Sequence, residues 1–367
     1  MTPRKLRQLL DRLLVTHSPS GEEREMDEIV GQELARFCPE VWQDPHGNLV
    51  GKLPGRSPEG AIQVFAHKDE IGAIVDKIDE DGKVWLDPLG GAYAWIYAEG
   101  PFDLLGDEVV TGVLSVGSKH TSDRSPRIHR AKTNPLGWDM CYVDCKLSKA
   151  ELAKKGIHTG SRAVVSRCRK PPLYLGDHVC CYALDNKALV AVMLLVGEEL
   201  AQHDPPPVDV YLVATAAEET GCSGGVYAAL SLPGDTVIAL DIAPVAEEYP
   251  VVLDDRPVVG YRDLGIYHKA LSDGFVRLAE ELGFGAQRAL FRSLGTDGSA
   301  ATNHGHIGRA AYLGIPTENT HGYEISRLGA MLNLARLVST YLTRAEPPAS
   351  QSIAPGPRRR KKATRHA

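Results

Sequence analysis

A chain of 367 residues is long enough for a large core and more than one domain, because single cores seldom grow past roughly 250–300 residues. Its composition, 43% hydrophobic and 24% charged, is that of an ordinary globular protein. The formal net charge of -6 argues against a nucleic-acid partner, which needs a basic face, and no apolar run approaches the roughly 20 residues of a membrane span.

The N-terminal stretch carries charges throughout its apolar pattern and lacks a signal-peptide core, so a cytoplasmic location is expected. Leu6, Leu9, Leu10, Leu13 and Leu14 recur at helical spacing, and the segment is predicted helical to about Phe37. Residues 48–53 and 61–66 read as strands separated by a Gly/Pro/Ser turn. From 71 to 176 the texture changes to short β-like runs, such as 109–116, between Gly-, Pro- and Asp-rich turns. One helix is predicted among them, over 148–155, with Ser148 as N-cap and Gly156 as its stop. The pattern predicts a small β-rich, barrel-like domain over 71–176, inserted into a host formed by 1–70 and 177–344.

In the host, 188–200 reads as a buried helix, and 208–216 and 236–240 as apolar strands of the kind covered on both faces. Residues 271–282 and 328–342 read as helices. Alternation of this type predicts an α/β fold, a central mixed sheet flanked by helices. The final stretch, 345–367, is Pro-rich and then basic, and reads as a disordered, solvated tail. The seven cysteines are odd in number and have no CxxC spacing, so buried free thiols are expected rather than disulfides or a structural zinc.

Five acidic or histidine positions sit at the ends of apolar strands or just beyond, where α/β sheets keep their ligand sites. In an extended chain His67 and Asp69 face the same way, so Asp69 can fix the imidazole while His67 binds a metal. A lone His is more often a structural hydrogen-bonding residue, and the chain has 13, so this motif needs support from elsewhere. Glu218 and Glu219 supply it. Two adjacent carboxylates after an apolar strand are costly to desolvate without compensation. Their directions diverge, so one can ligate while its neighbour moves protons; the competing reading is a solvated helix start. Asp241 follows another apolar strand, and His321 a third. Asp185 lies at a strand-to-helix junction, where it reads equally as a helix N-cap. Two imidazoles and three carboxylates form a mixed N/O set suited to zinc, manganese or cobalt.

In these motifs the chain resembles the tetrahedral aminopeptidases, also called the glutamyl or deblocking aminopeptidase family, in order from about Leu6 to Leu342. The residues that carry the resemblance are His67 and Asp69, Asp185 and Asn186, Glu218 and Glu219, Asp241, His321, and the run Gly295-Thr296-Asp297-Gly298. The resemblance implies two divalent metal ions per subunit, zinc first and cobalt or manganese as alternatives. It implies that Asp185 bridges them and is followed by a cis peptide, that His67 and Asp241 complete one site, and that Glu219 and His321 complete the other. Glu218 is implied as general base, acting on a water between the metals to release N-terminal residues from peptides. The inserted domain is implied to build homo-oligomers, dimers or hollow dodecamers. Three departures stand out: Lys68 where an apolar residue is usual, Lys187 in place of Arg, and Glu318-Asn319 where an Arg and an aromatic commonly precede the final His. They leave open a small amide or N-acylated amino acid as substrate. A non-catalytic oligomeric scaffold is the alternative of another class, against which the intact set of acids speaks.

Overall fold

The computed structural model describes residues 1–344; the basic tail expected at 345–367 lies outside the described residues. At its centre four apolar strands run parallel, in the order Val208–Thr215, Ser57–His67, Thr236–Pro244, Arg309–Glu318. Val64, Ala66 and Leu212 enter the core on one face, and Phe65, Val213 and Val237 that on the other. Burial on both faces explains why these segments are continuous apolar runs rather than alternating ones. Antiparallel strands extend this sheet, with Leu49–Leu53 and Glu40–Gln43 on one side and Tyr323–Arg327, His178–Tyr182 and Leu173–Leu175 on the other. Val258–Arg262, with its parallel partner Gln287–Leu290, branches from Arg309–Glu318 to make eleven strands. The helix Leu184–Leu200 is apolar almost all round, as a helix must be when it lies beneath others. It packs between the sheet and the helices Pro3–Leu13 and Leu328–Arg344. The mixed sheet flanked by helices is the fold class that the alternation predicted.

Where one continuous N-terminal helix was expected there are two, Pro3–Leu13 and Arg24–Leu34. The break holds Pro19, which has no N–H to continue a helix, and Gly21, which sits at a positive φ of 86°. The chain leaves the sheet after His67 and forms a closed barrel of six strands, in the order Gly72–Ile78, Lys83–Leu89, Tyr142–Asp144, Val109–Ser115, Gly100–Leu105, Arg162–Val165. Leu86, Phe102, Leu104, Leu114, Val143 and Val165 fill its interior. Ser148 caps the predicted helix, here Lys149–Lys154, through a capping box with Glu151. Two helices the sequence did not announce, Ala94–Tyr97 and Pro126–Thr133, lie in the barrel's connections; the second starts on a proline, whose fixed φ suits a first turn. All seven cysteines are free thiols, though Cys168 is exposed and Cys145 and Cys222 are partly so.

Barrel and sheet are joined by a buried ionic cluster. Glu70 accepts from Lys170 Nζ at 2.7 and 2.9 Å and from the Ser18 amide at 2.8 Å, with Lys187 Nζ at 3.1 Å. Lys170 also donates to the Thr16 carbonyl at 2.8 Å. His17, beside it, pairs with Asp103 of the barrel strand Gly100–Leu105 at 3.0 Å. Lys187, one of the three departures, is therefore occupied at this seam.

Candidate active site

The parallel strands end together, and their carboxyl ends deliver the strand-end residues to one place. His67 closes its strand in register with Thr215, so Glu218 and Glu219 emerge beside it. Asp241 lies within Thr236–Pro244, three residues before its end, and His321 in the loop between Arg309–Glu318 and Tyr323–Arg327. Asn319 and His321 hold positive φ values of 56° and 61°, which turns that loop tightly and aims the imidazole inward. Asp185 stands at the start of the buried helix, followed by a cis peptide to Asn186. It is not an N-cap: its Oδ1 is 3.0 Å from His67 Nε2 and its Oδ2 3.4 Å from His321 Nε2.

Two groups of potential ligands share this one carboxylate. His67, Asp185 and Asp241 form one, and Asp185, Glu219 and His321 the other, with the donor atoms of each group within 4.8 Å of one another. Glu219 Oε2 is 3.6 Å from His321 Nε2. Glu218 belongs to neither group; its Oε2 lies 3.8 Å from His67 Nε2. Glu218 and Glu219 are not at a helix start. They occupy the turn ahead of the helix Ser223–Ser231, with side chains only 10% and 6% exposed.

Asp69 is the organiser beneath. Fully buried, it accepts from the Ser20 hydroxyl at 2.6 Å and from the amides of Glu218 and Glu219 at 3.0 and 3.2 Å. Its Oδ1 is 3.3 Å from His67 Nδ1, which also faces the Asp69 carbonyl at 3.2 Å. Nδ1 is thereby held as the donor and Nε2 left free to ligate. His321 is held the same way, its Nδ1 donating to the Gly91 carbonyl of the barrel at 3.2 Å. A side chain at Gly91 would strike that ring. Asp69→Asn presents a donor where donors already point, and is expected to weaken metal affinity by about 10–100-fold. Chelator competition measures it, and unchanged affinity would show that Asp69 does not support the site.

One further acid had no signal of its own in the sequence reading. Glu324, buried in the strand Tyr323–Arg327, accepts from the Asp185 amide at 2.9 Å and the His321 amide at 3.0 Å. It lies three residues after His321, on the inward side of a strand whose burial alternates. Lys68, by contrast, turns away from the site and pairs with Asp27 and the Gly47 carbonyl. Asn319 donates to the Tyr323 carbonyl at 3.3 Å, while Thr320 and His321 reach the cleft. The cleft measures 560 Å³, with Tyr93, Trp95, Leu264 and Leu294 among its walls.

Among the side chains alone, so many buried acids cannot all stay ionised. Burial, with Asp185 nearby, pushes Glu219 up to about 8 and Asp241 well above the carboxylate range, and burial with Asp297 and Glu219 raises Glu218. Burial would raise Asp185 too, but hydrogen bonds from His321 and His67 outweigh it and hold it low. Burial opposes charge on His321, yet its bond to Asp185 and the charge of Glu219 carry it up to about 11. Glu219 Oε1 is buried with no hydrogen-bond partner among the described residues. An orphaned carboxylate oxygen and a borderline N/O donor set fit divalent cations, whose charge would offset the repulsion.

Buried acids and imidazoles gathered at strand ends belong to the chemistry of hydrolases, and this chain is a peptidase. It belongs to the M42 glutamyl aminopeptidase family, whose model matches residues 47–337. The lysyl aminopeptidase of Pyrococcus furiosus is 26% identical over 252 residues, 64% of this chain and 66% of that protein. Aminopeptidase APDkam598 from Desulfurococcus kamchatkensis is 25% identical, with a TM-score of 0.84 over 94% of this chain and 96% of that one. The Pyrococcus horikoshii TET1 peptidase, described as assembling into a tetrahedron or a large octahedral shell, is similar in fold. It is 22% identical, with a TM-score of 0.82 over 93% of this chain and all of that one. Among the described residues no helix is long and apolar enough to cross a membrane.

Proposed function

We propose that this chain is a dinuclear metal-dependent aminopeptidase. The observation that carries the reading is the split of Asp185, one oxygen facing each imidazole, 3.0 Å from His67 and 3.4 Å from His321. Asp185 would bridge two ions, zinc first and cobalt or manganese as alternatives, with His67 and Asp241 holding one and Glu219 and His321 the other. Bound ions of this kind polarise a scissile carbonyl and acidify water. Glu218, beside both groups but in neither, takes the proton of the attacking water and delivers it to the leaving amine. Asp69 keeps Glu218 and Glu219 at their stations through their amides. The acid-rich floor suits the ammonium of a free peptide N-terminus, and the apolar walls suit the side chain beside it.

Residues 71–176 form the inserted unit on this reading and 1–70 with 177–344 the catalytic one. Val109 and Val113, about half exposed on the outer face of the barrel, and the assembly of the TET1 relative support a homo-oligomer. The cytoplasm is the compartment this reading assigns. With Lys68 facing Asp27, the departure nearest to a proposed ligand gives no reason to prefer a small amide as substrate.

A panel of free and N-acylated aminoacyl substrates, assayed after chelation and again after separate addition of zinc, cobalt and manganese, tests the reading. Chelation is expected to abolish cleavage of free N-terminal residues and one of the metals to restore it. Turnover of acylated substrates alone would select the small-amide reading. Neither metal binding nor turnover would select the scaffold.

A further inference from the structure

Two groups next to Glu218, Cys222 on the cleft wall and Asp297 buried behind it, take no part in the chemistry above. Cys222 lies directly before the helix Ser223–Ser231, lines the cleft, and places its Sγ 3.1 Å from Glu218 Oε1. Asp297 is 4% exposed; its Oδ2 accepts from the Thr215 hydroxyl at 2.5 Å, while its Oδ1 has no hydrogen-bond partner among the described residues. Only a glycine at 225 leaves room for that oxygen, since a Cβ there would collide with it. Glu218, Cys222 and Asp297 each offer a donor atom within 4.8 Å of the other two, and none of the three belongs to the Asp185-centred groups.

We propose that Glu218, Cys222 and Asp297 form a third metal site, for a thiophilic divalent ion such as cadmium or excess zinc, and that filling it inhibits the enzyme. A thiolate selects softer ions than the all N/O groups around Asp185 do. As the sulfur–metal bond forms, the thiol proton leaves to water, and the two carboxylates balance the charge. Burial and the neighbouring Glu218 and Asp297 push the Cys222 thiol up, so the ion must displace its proton to bind. Once bound, it occupies the carboxylate that accepts the proton of the attacking water. The inhibition rests on Glu218 as the base; the binding does not.

The test is a cadmium titration of the zinc-loaded full chain, wild type and Cys222→Ser, following the ultraviolet thiolate-to-cadmium absorption and activity in the same samples. In the wild type the absorption is expected to grow as activity falls. In Cys222→Ser that component of the absorption is lost, and inhibition, taken relative to the variant's own cadmium-free rate, shifts to more than about 10-fold higher cadmium. Equal inhibition of both proteins, or no Cys222-dependent absorption, overturns the third site. Cys222-dependent absorption without loss of activity overturns the inhibition and points to failure of the Glu218 assignment, while the metal site itself stands.

Discussion

Glu218→Gln lowers kcat by about 10²–10⁴-fold while metal content is unchanged. The substitution keeps the size of the side chain but removes its charge and with it the capacity to accept a proton. Glu218 is outside the two groups centred on Asp185, so once excess metal is removed elemental analysis should find the same ions per chain in variant and wild type. Asp69 holds Glu218 through the backbone amide, at 3.0 Å, so the substitution does not touch the contact that positions the turn. The loss should fall on kcat rather than on KM, because a proton acceptor acts as the transition state forms. Near-normal kcat in a fully loaded variant would remove Glu218 from the mechanism. Loss of metal along with activity would instead make it a ligand.

Glu70→Gln is expected to destabilise the chain by about 3–5 kcal/mol, read as a lower denaturant midpoint at unchanged slope. The neutral amide leaves Lys170 and Lys187, both fully buried, facing one another without their counter-ion. Removing one partner of a buried pair costs far more than a surface pair is worth, because the remaining charge has no water to return to. Burial disfavours the Glu70 carboxylate, yet Lys170 and Lys187 outweigh it and hold the group down to about 2. An unfolded Glu titrates near about 4.3, so the group's contribution is fully present above that pH and is lost as pH falls toward 2. A shift of this size corresponds to about 3 kcal/mol, and the variant should lack that part of the acid dependence. The comparison is made on chelated wild type and variant, so that metal release in acid does not intrude. A loss below about 1 kcal/mol would mean that the cluster relaxes or admits water.

Much of this was legible in residues. Acids that follow apolar strands must find compensation, and that desolvation argument singles out Glu218, Glu219 and Asp241 without any structure. The continuous apolar runs that end at His67 and Thr215 announce strands covered on both faces, and hence the α/β layers. The change to short runs and turns after residue 70 announces a separate β-rich unit. Each of these signals is local, because it reports how one segment meets water.

What the tertiary structure alone decided is who faces whom. His67 and Asp185 are 118 positions apart, and only strand order and register bring their atoms to 3.0 Å. No local pattern distinguishes an Asp that caps a helix from one that offers its two oxygens to two imidazoles. Lys68 and Lys187 sit within two residues of proposed ligands, yet adjacent side chains diverge and both point elsewhere, to Asp27 and to Glu70. Glu324 joins the His321 amide of its own preceding loop to the Asp185 amide 139 positions away, and Asp297 meets Cys222 only because the turn after Val208–Thr215 folds against the helix Asp297–Asn303. Hydrophobic patterning reports burial along the chain, whereas these pairings depend on the directions of side chains on strands and loops joined by long crossovers. The sequence by itself determined which residues are costly to bury, and the packing of the strands determined which of them meet.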